Sequence, residues 1–300
     1  MSRLRAPFNY FGGASNVLNW HNEIIQDLRS TYNLTTWVDV FAGSGLYTLN
    51  QDPPWPVEVL NDKEDLITNT FKVLRDNPQP LLERMALTEY SQAVYDECRY
   101  IEPDDTDLIK AWKWIVLLGM SFAGTTFTKQ EGERLRLQTK HQWRYAIKST
   151  AKNMAATVSM FQAKKETLVD VITRLQRVQI TNWDFERVLT KFDSPHTMCA
   201  IDPPFVPKTR VSPSAYSQEL SVEDHERLLD LIANCQGAVL LRGYGNELYE
   251  NMAEKYGWGR QEQERKCVAT HVGKTRGTQG QKDILPSRTE VIWIKRPKVE

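Results

Sequence analysis

Trp37-Val38-Asp39-Val40-Phe41 runs directly into Ala42-Gly43-Ser44-Gly45, and Val57-Glu58-Val59-Leu60 runs into Asn61-Asp62. The first five residues are apolar except for one acid, the pattern of a strand buried on both faces. The glycines after it allow a tight turn and a close approach of backbone to a ligand. The second run reads as another strand and ends on an acid 23 residues after Asp39. A helix follows, with Ile67, Phe71 and Leu74 aligned, and stops at Asp76-Asn77-Pro78. Strand, glycine loop, helix, strand, acid and helix form the opening of a doubly wound nucleotide-binding sheet. Gly43-Ser44-Gly45 lacks the third glycine of a dinucleotide fingerprint, so the loop alone decides little.

Upstream, Ser15 is placed to cap a helix through about Arg29, with Val17, Trp20, Ile24 and Leu28 on one stripe. Downstream, residues 79–165 break the rhythm with an apolar helix over 108–122, a glycine-bounded segment over 124–132 and a basic stretch. The alternation resumes with a strand at 178–180 ending near Asp184, and another at 197–201. Ser221-Val222-Glu223-Asp224 resembles a capping box and opens a helix bearing Leu228, Leu231, Ile232 and Cys235. Strands at 238–241 and 289–294 complete the pattern. The expected fold is α/β: a doubly wound, Rossmann-like core from residues 1–78 and 166–300, interrupted by a mainly helical insert, 79–165.

Composition sets the limits. The chain has 300 residues, 41% hydrophobic and 25% charged, with a formal net charge of zero, so any nucleic-acid surface must be a local patch. Residues 1–7 lack the apolar core of a signal peptide, and the longest strongly apolar stretch, 114–120, is too short to span a bilayer. Cys98, Cys199, Cys235 and Cys267 are widely spaced, which argues against a zinc site or disulfide framework and fits a reducing cytoplasm.

Asp202-Pro203-Pro204-Phe205 closes the apolar run Thr197-Met198-Cys199-Ala200-Ile201. This arrangement suits the alkylation of an exocyclic amine on a nucleobase. Such an amine is a poor nucleophile, because its lone pair is delocalised into the ring. A fixed carboxylate can accept one N–H, a carbonyl of the rigid proline turn can accept the other, and the aromatic ring can stack on the base. Asp52-Pro53-Pro54-Trp55 has nearly the same composition, but it follows the end of a helical pattern and reads as a loop. Asp62 at a strand end suits ribose hydroxyls, and Asp184, in Asn182-Trp183-Asp184-Phe185, suits an adenine amine. Either acid alone would more simply cap a helix. With Asp202 and the glycine loop, they indicate a site.

The chain resembles the Dam-type adenine-specific DNA methyltransferases. Tyr10-Phe11-Gly12-Gly13 is similar to their first cofactor motif, Asp39 to Gly45 to their phenylalanine-glycine motif, and Asn61-Asp62 to their ribose-binding segment. Asn182 to Phe185 is similar to their adenine-binding acid, and Asp202 to Phe205 to their catalytic motif. The resemblance covers most of the chain and rests on the order of these motifs. It implies S-adenosylmethionine as cofactor and S-adenosylhomocysteine as product. Tyr10, Gly12, Gly13, Asp39, Phe41, Gly43 and Gly45 would lie toward the methionine side, Asp62 at the ribose, and Asp184 with Phe185 at the adenine. Asp202 and the Pro203 carbonyl, in the turn with Pro204, would hold the target amine, and Phe205 would stack on the base. The chain departs from the family at Ala14, where members often carry lysine, and at Phe205, where they usually carry tyrosine.

The resemblance also implies double-stranded DNA as partner, with the target adenine flipped out. The methyl donor is an activated sulfonium, so no metal is expected. Lys129, Arg134, Arg136, Lys140, Arg144 and Lys148, with Trp143 and Tyr145 interleaved, are the best candidates for target recognition, although each charge alone reads more simply as part of a solvated amphipathic helix or hairpin. A second basic stretch, 265–276, includes Lys274 and Arg276 and reads as a loop able to touch phosphates. A monomer or weak dimer in the cytoplasm of a prokaryotic or phage-infected cell is expected, with a restriction endonuclease as a candidate partner. N4-cytosine or RNA methylation is the alternative, followed by a catalytically silent DNA-binding protein. The absent third glycine disfavours a Rossmann oxidoreductase.

Overall fold

The computed structural model describes residues 3–10, 12–121, 126–139, 142–206, 209, 218–266 and 287–298. The first half of the sheet is built by α1 (Leu18–Thr31), β1 (Thr36–Asp39), α2 (Leu46–Leu49), β2 (Val57–Asn61) and α3 (Asp65–Asp76). A second group comprises α4 (Pro78–Leu87), α5 (Gln92–Glu97), β3 (Tyr100–Ile101), α6 (Asp107–Met120), β4 (Thr126–Glu131), β5 (Arg134–Thr139), β6 (Thr150–Ala151), β7 (Met154–Ala155) and α7 (Ala156–Leu175). The sheet then continues through β8 (Gln179–Thr181), α8 (Phe185–Lys191), β9 (Thr197–Ile201), α9 (Val222–Asn234), β10 (Ala238–Tyr244), α10 (Glu247–Tyr256), β11 (Gly259–Lys266) and β12 (Ser287–Lys295).

Seven strands form one sheet in the order β11-β12-β10-β9-β1-β2-β8. β10, β9, β1, β2 and β8 are parallel, and β12 and β11 add an antiparallel edge. The chain leaves β1 toward β2 and β8, then returns to β9 on the other side of β1. That reversal is the topological switch point, where doubly wound sheets open a crevice beyond their carboxyl ends. Alternate residues serve opposite faces. Val38, Cys199, Ile201 and Val239 pack toward α8, α9 and α10, while Trp37, Met198, Ala200 and Leu240 pack toward α1.

The expected cap at Ser15 is not formed. Ser15 lies in a 3-10 turn, Ala14–Asn16, and α1 starts at Leu18 with no side-chain hydrogen bond at its N-cap, Val17. The buried stripe of α1 is Leu18, His21, Ile25 and Leu28, rotated from the expected set, and Trp20 and Ile24 are only half-buried. His21 turns inward because a buried phenol meets it there: its Nδ1 lies 2.5 Å from Tyr47 Oη. Trp55 is buried against Trp37, and Asp52 to Trp55 form a loop after α2, as the helical pattern before them indicates.

Residues 78–175 contain helices but also a sheet larger than the hairpin that the sequence reading allows. β3, β5 and β4 form a three-stranded sheet, with β4 and β5 joined around Gly132. Leu135 and Leu137 point into the core shared with α3, α6 and α7. Lys129 lies directly opposite Arg136 and Glu131 opposite Arg134, so these four share the other face.

α7 is tied to the main sheet by a buried ion pair. Glu58 on β2 receives Arg174 Nη1 on Oε2 and Nη2 on Oε1, both at 2.6 Å, and Arg174 Nη2 also reaches Thr48 O at 2.7 Å. Glu58 is 1% exposed, so losing its partner leaves a charge in the core. Arg177 stands 3.6 Å away and softens that loss. Arg174→Met should therefore cost about 3 kcal/mol in urea unfolding, and an unchanged midpoint would remove the pair from the list of core contacts.

Candidate active site

The switch-point crevice holds a cavity of about 240 Å³. Its wall is assembled from five segments distant in sequence: Tyr10 with Gly12 to Ala14, Val40 to Ser44, Asn61 to Glu64, Trp183 to Phe185, and Asp202 with Pro204. Gln218 to Leu220, Asp224 and Arg227 close one side. Each main-sheet segment follows the carboxyl end of a parallel strand, so the fold alone brings them together.

Local chemistry fixes the details. Gly43 has φ +51°, and a Cβ there would lie 2.9 Å from Tyr10 Cδ1, so the glycine lets the Tyr10 ring lie on the loop. The Gly43 amide donates to Asp62 Oδ2 at 2.8 Å, and the Glu64 amide donates to Oδ1 at 2.9 Å. Burial nevertheless pushes the Asp62 carboxyl up to about 6. Asn61, fully buried, donates to the Val40 and Trp183 carbonyls at 2.9 and 3.0 Å. Its Oδ1 accepts from Thr181 Oγ1 at 2.8 Å and from the Trp183 amide at 2.9 Å. Asp184 caps α8, with Oδ1 accepting from the Glu186 amide at 3.0 Å, while the residue also lines the cavity. The helix-cap reading and the ligand reading of this acid are therefore compatible. Phe185 lies 5.9 Å from Phe41, and the Arg227 guanidinium sits 4.7 Å above its ring.

At the opposite end, Asp202 Oδ2 accepts from Arg242 Nη1 at 2.7 Å. Burial pushes the Asp202 carboxyl up to about 6 against the pull of that guanidinium, so it remains mostly ionised at neutral pH. Phe205 is 6% exposed and meets Tyr244 edge-on, with ring centroids 4.7 Å apart.

Four expected residues are not part of the cavity wall: Pro203, which is buried between the lining residues Asp202 and Pro204, and Asp39, Gly45 and Phe205. Asp39 is fully buried, accepting from Thr48 Oγ1 at 2.9 Å and leaving Oδ1 with no hydrogen-bond partner. Gly45 faces Phe71, since a Cβ there would lie 2.7 Å from its Cζ. Phe205 is covered by its packing on Tyr244. Of the cationic candidates, Lys129, Arg134 and Arg136 lie on the exposed face of the β4–β5 hairpin. Arg136 pairs with Glu131 at 3.1 Å, and Arg134 stacks on Tyr100 at 4.2 Å. Arg144 is anchored through its backbone, its amide to Met120 O at 2.8 Å and its carbonyl to Tyr90 Oη at 2.5 Å. Lys140, Lys274 and Arg276 lie outside the described residues. Arg242 was not singled out from the sequence, where it looks like an ordinary strand residue, and Asn61 entered there only as the neighbour of Asp62, with no role of its own.

Residues 10–266 match the family model of the D12 class N6 adenine-specific DNA methyltransferases. The chain belongs to this family. No curated relative matches it significantly. The enzyme methylates adenine in DNA and uses S-adenosylmethionine, as its class does. The cavity suits that cofactor. Its described lining carries six carboxylates (Asp62, Glu64, Asp184, Asp202, Glu219 and Asp224) against two cations (Lys63 and Arg227), and a molecule with a sulfonium and an ammonium is drawn to such a cleft. Among the described residues no group of histidine, cysteine or carboxylate side chains is arranged to hold a metal, and no helix is long and apolar enough to cross a membrane.

Burial also pushes the Asp39 carboxyl up to about 7, against the hydrogen bonds from Thr48. An acid whose folded pKa lies above its unfolded one favours the fold while protonated, and that advantage is lost as pH rises from about 4 to about 7. Asp39→Asn removes the ionisation. Its stability gain over the parent in urea should be smallest near pH 4, grow through this window, and level off above about 7 at on the order of 1–3 kcal/mol. A gain independent of pH would show that Asp39 does not titrate there.

Proposed function

We propose that the cleft holds S-adenosylmethionine along the strand ends and presents Asp202 to an adenine flipped out of duplex DNA. One observation carries this reading: the glycine segments, Asp62, Asp184 with Phe185, and Asp202 all line a single cavity. Asp62 receives the ribose hydroxyls, Asp184 and Phe185 take the adenine, and Tyr10, Gly12, Gly13, Phe41 and Gly43 border the methionine end. S-adenosylmethionine supplies a methyl group already activated on a sulfonium.

Asp202 accepts one N–H of the exocyclic amine and the Pro203 carbonyl accepts the other, which returns the lone pair to nitrogen. The N–C bond forms as the C–S bond breaks, and one amine proton leaves to water. Asp202 offsets the positive charge that develops on nitrogen, and the turn holds the amine in line with the methyl group. Extracting the base costs a few kcal/mol. Lys129, Arg134 and Arg136 on the outer face of the hairpin offer contacts to phosphates and guanine, with Arg144, Lys140, Lys274 and Arg276 as further phosphate contacts. Phe205 stacks on the base once its ring is uncovered from Tyr244.

Asp202→Ala should lower methyl transfer at least about 10²–10³-fold while S-adenosylmethionine affinity by calorimetry stays within severalfold. Measurable turnover near the parent rate would sink the assignment. Transfer should also fall as pH drops through about 6, where Asp202 protonates. Phe205→Ala should weaken productive binding about 10–100-fold, and Phe205→Tyr should restore it. Digestion of the methylated DNA to nucleosides should yield N6-methyladenine; N4-methylcytosine would overturn the choice of base.

A further inference from the structure

The strand beside the catalytic motif carries a charge that the proposed chemistry leaves without a role. Arg242 lies on β10, next to β9, and is 3% exposed. A guanidinium is tolerated in a sheet core only when its donors are engaged. Nη1 donates to Asp202 Oδ2 and to Gly12 O, both at 2.7 Å. Nε and Nη2 lie 2.9 and 2.8 Å from Glu290 Oε2 on the antiparallel strand β12. The guanidinium carbon sits 5.3 Å from the Phe205 ring centroid. One side chain thus touches the catalytic carboxylate, the ring of the same motif, the glycine segment across the cleft and a second acid. The glycine segment has no cation of its own: residues 12–16 read Gly-Gly-Ala-Ser-Asn.

We propose that Arg242 is the positioning residue of the methyl-transfer site: it holds one oxygen of Asp202, leaves the other for the acceptor amine, and ties that carboxylate to the Gly12 carbonyl, with Glu290 as its counter-anion. The proposal rests on the reading of Asp202 given above. An aspartate free to turn about its last torsion offers its lone pairs in many directions, whereas one pinned at a single oxygen offers the other in one. The electrostatic role follows from the neighbours. Asp202 is faced by Arg242 and Glu290 from β10 and β12, by Asp39 and Tyr47 from β1 and α2, and by Tyr249 from α10. Of these groups only Arg242 is a cation. Removing it leaves a buried carboxylate among acids and phenols, so the Asp202 carboxyl should protonate more readily. Neutralising Glu290 should have the opposite effect.

The test reads the Asp202 carboxyl directly by 13C NMR on aspartate-labelled protein, its resonance identified by its loss in Asp202→Asn. In parallel, the pH profile of kcat is measured with tritiated S-adenosylmethionine and genomic DNA lacking adenine methylation. Arg242→Gln should raise the midpoint of the resonance by about 1–3 pH units and carry the acid limb of kcat with it, so that the loss of rate is large at acid pH and shrinks toward alkaline pH. Glu290→Gln should move both to lower pH, and it keeps the guanidinium should Arg242→Gln not fold. Arg242→Lys keeps the charge but not the fork, so the midpoint should stay while kcat falls about tenfold or more. A resonance and limb that stay in place in Arg242→Gln, or that move the same way in both variants, overturn the proposal. If the parent protein transfers no methyl group while the resonance shifts as described, the reading of Asp202 as catalytic fails and the clamp on it stands.

Discussion

The buried amide of Asn61 uses both of its polar atoms at the carboxyl ends of β1, β2 and β8, and the cleft depends on it. Parallel strands are joined through helices, so no hairpin holds their ends in register. Nδ2 takes two carbonyls and Oδ1 takes two donors, which places the loop after β1 and the loop after β8 at fixed distances from the end of β2. A buried amide is expensive when partly paired and rigidifying when fully paired. Phe41 and Gly43, Asp62, and Trp183 to Phe185 hang from these three ends, so the Asn61 side chain, together with the Gly43–Asp62 and Asn182–Asp62 hydrogen bonds, sets the spacing of the cavity wall.

The same crevice keeps acids where water is scarce. The carboxyls of Asp39, Asp62 and Asp202 are all pushed up toward neutrality by burial, opposed by Thr48, by the backbone amides of Gly43, Lys63 and Glu64, and by Arg242 respectively. A fold optimised for stability alone would not gather such groups. Their presence is understandable if the ligand brings positive charge and the reaction develops more of it.

Much of this was legible in the sequence, for a physical reason. A strand buried on both faces is an apolar run, so an acid at its end stands out, and Asp62 and Asp202 could be found from pattern alone. Asp184 was equally visible; it caps α8 through one oxygen and also lines the cavity, so the cap does not compete with the ligand reading. What escaped depends on pairing across the sheet. Arg242 reaches Asp202 and Glu290 over 40 and 48 residues of chain, and no local rule links them. The segment of β4 and β5 reads in the sequence as either an amphipathic helix or a hairpin, and its few apolar residues and glycine-bounded start gave no clear period to decide for the hairpin that forms. The start of α1 was misplaced because Ser15 suits a cap, while tertiary contacts of His21 with Tyr47 set the helix face.

That hairpin has a consequence of its own. Its inward side, Leu135 and Leu137, belongs to the core, and its outward side, Lys129, Glu131, Arg134 and Arg136, does not. Because side chains alternate along a strand, every second residue can be exchanged without disturbing the packing beneath. The surface there behaves as interchangeable type on a fixed plate: the message it presents to a partner can be reset one letter at a time, while the fold that carries it is left alone.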